Sequence, residues 1–229
     1  ETLGTLSGGG ASGGNISLAN TKTLTVGSGN GTSQFDGVVS GQGGLAKTGS
    51  GTFTLTGANT YSGKTSILGG TVSVASLNSV TAGSASSNLG APSSATNGTI
   101  DLGSGATSGT LVYTGSGEVT DRVINLAGTT GGATLDQSGT GLLKFTSALT
   151  ATGLGNKTLT LQGATAGTGE IAGAIVNSTG NATSLTKAGS GSWTLSGTNT
   201  YSGATNVNDG TLDAAGAGAM GAAVAGTHD

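Results

Sequence analysis

The sequence predicts an all-β chain wound as a β-solenoid, and three observations carry that prediction. A 30-residue segment occurs twice, as LAKTGSGTFTLTGANTYSGKTSILGGTVSV at 45–74 and as LTKAGSGSWTLSGTNTYSGATNVNDGTLDA at 185–214, with 16 identities and no gap. Self-similarity at a fixed offset marks repeat architectures. Between and around the copies run short bursts in which Thr alternates with Leu or Val, the period of a strand with one buried face. Turns of the GSG, GG and NG kind separate the bursts and supply the positive φ that sharp corners demand. Small side chains let successive coils stack at the ~4.8 Å strand spacing. At about 20–24 residues per coil the chain makes roughly ten coils and a rod of about 45–50 Å.

Taken in order, the first burst is Thr23–Val26 (TLTV). The first repeat copy follows at 45–74, with Leu45, Phe53, Leu55 and Tyr61 as its expected packing positions. The spacer, 75–184, holds Thr99–Leu102 (TIDL), Thr110–Tyr113 (TLVY), Leu142–Phe145 (LLKF) and Thr158–Leu161 (TLTL). The second copy, 185–214, presents the same packing positions as Leu185, Trp193, Leu195 and Tyr201. In stacked coils the inward Leu, Val and Ile form ladders, and turn Asn residues are expected to hydrogen-bond along ladders of their own. No window carries a helical stripe with caps, and glycine at this density costs a helix about 1 kcal/mol per residue. Residues 87–101 (SNLGAPSSATNGTID) resemble 218–229 (GAMGAAVAGTHD) more loosely, which aligns His228-Asp229 with Ile100-Asp101. That match, and a start at Glu1 rather than Met, lead to the expectation of one solenoid, 1–229, cut from a longer array.

Composition excludes several classes. Charged residues make up 7% and hydrophobic residues 33%, too apolar for chains that stay disordered because they have little to bury. Glycine supplies 48 residues without the every-third spacing of collagen, and there is one proline. Seven Lys and Arg against ten Asp and Glu leave a net charge of −3, so neither a nucleic-acid face nor a polybasic membrane patch is expected. The lack of cysteine removes disulfides, thiol nucleophiles and thiolate zinc sites together. No apolar run is long enough to span a membrane as a helix.

The motifs that promise chemistry each meet a plainer explanation. Gly57–Thr65 (GANTYSGKT) is close to the phosphate-cradling GxxxxGK[ST], but five residues separate its glycines, and Lys64 becomes Ala204 in the second copy while Asn-Thr-Tyr-Ser-Gly is kept. A repeat corner accounts for that pattern better than a phosphate site. Gly10–Gly14 fits the GxSxG nucleophile elbow, yet the lone histidine is His228. Gly216–Gly221 fits GxGxxG without a ribose-binding acid downstream. The acids Asp36, Asp101, Glu118, Asp121, Asp136, Glu170, Asp209 and Asp213 are sparse; Glu118, Asp121 and Arg122 form the one tight charged cluster, expected to be a solvated turn ion pair rather than a glycosidase pair. Tyr61, Tyr201, Phe53 and Trp193 could stack on sugars, but recurrence at identical repeat positions is what interior packing residues show. No catalytic, cofactor or metal residue is expected.

The phrase LxKxGxGxxxLxGxNxYxGxTxIxxGxL, present at Leu45–Val72 and Leu185–Leu212, resembles the passenger-associated repeat of bacterial autotransporters, and Gly109–Phe145 resembles the spacer between such repeats. The resemblance implies a right-handed parallel β-helix, exported through the periplasm of a Gram-negative bacterium and displayed or released at the cell surface. In full-length relatives an outer-membrane β-barrel follows; these 229 residues contain no series of ~10-residue alternating strands of that kind. The expected function is non-enzymatic: adhesion, self-association or surface architecture, with another copy of the chain or a host or neighbouring cell surface as partner. The alternatives are a filament whose coils stack end to end and, more remotely, a polysaccharide-active β-helix enzyme.

Overall fold

Alternating sequence becomes alternating burial. In the computed structural model, which describes residues 1–10 and 14–221, Gly109–Tyr113 and Ala133–Gln137 both run buried, half-buried, buried, half-buried, buried. Inward side chains therefore fill the coil and outward ones coat it, the period-2 rule of a strand. The predicted bursts appear as strands Thr23–Val26, Ile100–Leu102, Gly109–Tyr113, Leu142–Phe145 and Lys157–Gly163. Among the described residues the one helical piece is a single turn, Ala95–Gly98, in which the Ser94 hydroxyl caps the Asn97 amide.

Strands stack in parallel on three faces. The first face has six, running from Thr2–Leu3 to Ile124–Leu126. The second has eight, from Ser33–Phe35 to Thr205–Val207, and the third has five, from Glu118–Thr120 to Thr211–Ala214. A further pair, Ile16–Leu18 with Val39–Gly41, occupies the third position of the early coils. The eight strands of the second face correct the expectation of roughly ten coils to about eight, which shortens the rod to about 35–40 Å. Coil length is the reason. In the first repeat copy Leu45 meets Thr65 and Phe53 meets Val72, steps of 20 and 19 residues. Mid-chain, Leu111 meets Leu135 and Leu135 meets Leu161, steps of 24 and 26. Between the two regimes Val72 meets Leu111, a step of 39, because residues 75–99 leave the coil as an excursion before Ile100 resumes it.

These unequal steps rotate the two repeat copies. Lys47 ends a strand of the first face, whereas Lys187 ends a strand of the second. The 140-residue offset is thus not a whole number of coils, and the second copy sits one face further round. The local structure survives the turn, since each copy pairs only with the coils beside it.

The core is a continuous column of side chains. Leu45, Phe53, Leu55 and Tyr61 of the first copy and Leu185, Trp193, Leu195 and Tyr201 of the second all lie inside it, none more than 1% exposed. The larger ring at Trp193 is accommodated by the coil before it. Trp193 is in register with Gly169, where a Cβ would come within 2.3 Å of the indole, and the indole N–H donates to the Gln162 carbonyl at 2.8 Å. Phe53, the smaller counterpart, faces Ser33 instead. Gly169→Ala is therefore expected to cost about 2 kcal/mol by overpacking, and less than about 1 kcal/mol in a Trp193→Phe background. Denaturant unfolding of the four chains in a double-mutant cycle checks this coupling.

Candidate functional site

The repeat corner is the most fully specified feature of the chain. Leu45-Ala46-Lys47 brings a lysine to the strand end with its stem in the core. Buried there, the Lys47 ammonium donates to the carbonyls of Thr48 (2.6 Å), Gly49 (3.2 Å) and Gly69 (3.5 Å). Lys187 does the same with Ala188 (2.7 Å), Gly189 (2.6 Å) and Asp209 (3.1 Å). The acceptors correspond one for one at the repeat offset. An ammonium has three donors, and a buried charge is tolerated only when hydrogen-bonded, so the cage completes the lysine and joins two coils. Burial lowers the pKa of both ammonium groups. Sequence reasoning kept Lys47 and Lys187 only as matched letters. It missed a third caged lysine, Lys157, which donates to Gly128 at 2.6 Å and whose pKa burial also lowers; its acceptors lie outside any repeated phrase.

The Asn-Thr-Tyr-Ser-Gly phrase staples three coils. Asn59 Oδ1 accepts from the Val39 amide at 2.7 Å and its Nδ2 donates to the Asn88 carbonyl at 2.6 Å. Asn199 accepts from Ile175 at 2.7 Å and donates to Ala219 at 2.5 Å. These are staples to backbone above and below, not the expected Asn-on-Asn ladder. Tyr61 and Tyr201 hydroxyls meet Thr65 and Thr205 Oγ1 at 2.8 and 2.7 Å. The near-P-loop is thus a corner: a Cβ at Gly57 or Gly63 would lie 2.0 or 2.3 Å from the carbonyl oxygen one coil back, and Lys64 reaches Asp101 at 2.7 Å.

The charged cluster departs from expectation. Arg122 is fully buried and makes no ion pair among the described residues. It donates to the carbonyls of Gly98, Leu77 and Leu89 at 2.8–2.9 Å, with one terminal nitrogen unpartnered. Burial pushes its pKa down to about 10 against the pull of Tyr61, Glu118 and Asp121, so the guanidinium is charged at neutral pH. The carboxylates hold backbone instead: Glu118 accepts from the amides of Leu77 and Asn78, and Asp121 from those of Val80 and Thr81. A solvated ion pair would leave these orphan amides open; the excursion at 75–99 is clamped because they are not. Each oxygen of both carboxylates accepts a backbone amide, and among the described residues no three His, Cys, Asp or Glu gather as metal ligands. The GxSxG serine and the His228-Asp229 alignment lie outside the described residues.

Outward on the second face, a threonine rank runs along the rod. Thr52, Thr71, Thr110, Thr134, Thr160 and Thr186 are in unbroken register, followed by Asn206. Their spacing in sequence is irregular, so nothing in the sequence lines them up.

The fold and corners define a parallel β-solenoid built from a repeated stapled coil. The passenger-associated transport repeat family matches at residues 45–74 and 185–214, the two segments with equivalent cages and staples. The BmaC autotransporter adhesin of Brucella suis biovar 1 (strain 1330) is 40% identical over 193 residues, 82% of this chain and 5% of that protein. The chain thus carries autotransporter passenger repeats and spans about a twentieth of the length of the curated relative it matches. No solved structure matches.

Two outcomes check the corner and the clamp. Lys187→Met keeps the stem and orphans three carbonyls; it is expected to cost about 2–3 kcal/mol, whereas Lys144→Met, losing a half-buried surface pair with Glu170, costs about 1 kcal/mol, both read by denaturant unfolding. Burial alone would raise the Asp121 pKa, but the Val80 and Thr81 amides outweigh it and hold the carboxyl below its ordinary value. Its stabilisation is therefore whole above pH 3.8 and is lost as pH falls through the lower folded-state value. Asp121→Asn is expected to lower stability at neutral pH and to flatten this acid limb in a pH series of melting curves.

Proposed function

We propose that this chain is part of the passenger of a surface-displayed, non-enzymatic autotransporter adhesin, holding an adhesive rod clear of the outer membrane. The observation that carries this role is the 40% identity to a protein named an adhesin, running through 82% of the chain, together with two matches to a family defined by passenger transport. Both point to export to the cell surface or beyond. The physical form suits it. Each coil returns its backbone hydrogen bonds to its neighbours, so the rod gains length without needing a larger core. Its outer surface is left to Thr, Ser and Asn, which can hydrogen-bond without committing to a pocket.

A second role, self-association, is favoured by the threonine rank. Six hydroxyls in register extend about 24 Å along the axis at the strand spacing. Each contact with a facing copy contributes about 1 kcal/mol or less, but repetition along two rods raises the total by avidity.

Displaying the chain on a non-adherent bacterium through an unrelated outer-membrane anchor tests both. Attachment to epithelial monolayers is expected to exceed that of the anchor alone by about tenfold, and equal attachment would sink the adhesive role. For self-association, displaying cells are expected to settle faster than anchor-only cells, and Thr134→Lys with Thr160→Lys to abolish the difference by repulsion. Settling that is unchanged in that variant would rule out the rank as the contact.

A further inference from the structure

The seven cationic side chains are distributed unevenly. Four of them, Lys47, Arg122, Lys157 and Lys187, are consumed by the interior. Of the remaining three, Lys144 pairs with Glu170 on the third face at 2.8 Å. The other two, Lys22 and Lys64, line the same groove on the first face, a depression of about 350 Å³. A chain of net charge −3 thus places two of its three outward cations in one place.

The groove is shaped by glycine. Its floor is the bare backbone of Gly43 and Gly44, where a Cβ would lie 2.5 and 2.6 Å from the Lys22 and Lys64 carbonyl oxygens. Thr23 is in register with Gly44, and the Leu45 amide bonds the Lys64 carbonyl on the next coil. Lys22 and Lys64 therefore rise from opposite ends of the floor, two coil steps apart, about 10 Å along the axis. Gln42 lines the groove on the coil between them, and Asn20 and Asn97 line it at the two ends. Asp101, fixed by Asn125 at 2.8 Å, holds the Lys64 ammonium at 2.7 Å on the groove's edge.

Lys64 is also free of the repeat's structural demands. The second copy keeps the caged lysine, the stapling Asn and the buried Tyr but has Ala204 here. Lys64 is thus a cation that the repeat corner itself does not need, held by Asp101 at the groove's edge and facing a second cation across a glycine floor.

We propose that this groove binds an acidic polysaccharide, a chain carrying a carboxylate or sulfate on every second sugar, with Lys22 and Lys64 each meeting one anionic group and the polar lining, Gln42 between them among it, meeting hydroxyls. Two cations spaced over about the length of a disaccharide suit such a ligand. They are too few for nucleic acid, which needs a dense basic face, and Asp101 repels a continuous run of anions. The inference rests on the adhesin role proposed above and names its ligand class.

Calorimetric titration of the purified chain with hyaluronan and heparin decasaccharides, and with neutral maltodecaose, tests it. The acidic oligosaccharides are expected to bind, the neutral one not, and affinity to fall with salt. Binding of hyaluronan, whose only anion is a carboxylate, shows that a carboxylate suffices, and binding of heparin alone shows that sulfate is required. Lys22→Gln and Lys64→Ala are each expected to weaken binding about fivefold, with the melting curve of Lys22→Gln unchanged and that of Lys64→Ala, which loses the Asp101 pair, shifted only slightly, and Lys144→Gln to leave binding intact. Equal binding of the neutral chain, an equal loss in Lys144→Gln, or no acidic binding overturns the assignment. In the display assay, attachment by wild type that persists in the Lys22→Gln/Lys64→Ala variant removes the groove and leaves adhesion standing. Binding in solution without attachment by the displayed chain removes the adhesin role and leaves the groove.

Discussion

Everything in this molecule depends on one constraint: each coil must return to lie one strand spacing from the last, in parallel and in register. Backbone groups cannot be left unpaired in a stack, so residues are selected first for closing the coil and only then for chemistry. Glycine at the corners lets carbonyl oxygens of adjacent coils approach to distances that a Cβ would forbid. The cages of Lys47 and Lys187 and the staples of Asn59 and Asn199 serve the same end. Each takes a strong polar group into the interior and satisfies it on backbone drawn from more than one coil, converting a desolvation cost into a cross-coil bond.

The same constraint explains which charges remain available. An acidic, charge-poor chain that buries four of seven cations does so because a long amphipathic side chain can reach carbonyls that no neutral side chain could satisfy so fully. Arg122 is the extreme case. It ties the carbonyls of Leu77, Leu89 and Gly98 to one planar group, while Glu118 and Asp121 take the opposing amides. Together they turn a long insertion into an ordered part of the wall.

Strand period and repetition made the fold legible in the sequence. Bursts such as TLTV and TLVY carry their inside–outside alternation in their letters, and the interior placement of Phe53 and Trp193 follows from the same period. What could not be read depends on stacking partners. The count of coils failed because steps range from 19 to 39 residues, and a mean length hides an excursion. The threonine rank and the third caged lysine bring together residues at such unequal separations, and the groove between Lys22 and Lys64 depends on which strands share a face, which no motif marks. Arg122 was misjudged for a related reason: adjacent opposite charges in sequence suggest a pair, but just past the Glu118–Thr120 strand the arginine turns into the core, while both carboxylates are taken up by amides of the excursion.

The rotation of the second repeat copy by one face has a geometric meaning for recognition. The two copies share their interior almost residue for residue, yet positions 64 and 204 look out along different directions from the rod axis. Variation at that corner changes what one side of the rod offers without disturbing the other. The stapled interior is then a fixed chassis, and coil length acts as an indexing mechanism: lengthening or shortening the spacer by a few residues per coil would turn a corner to a new bearing while keeping every bond within it.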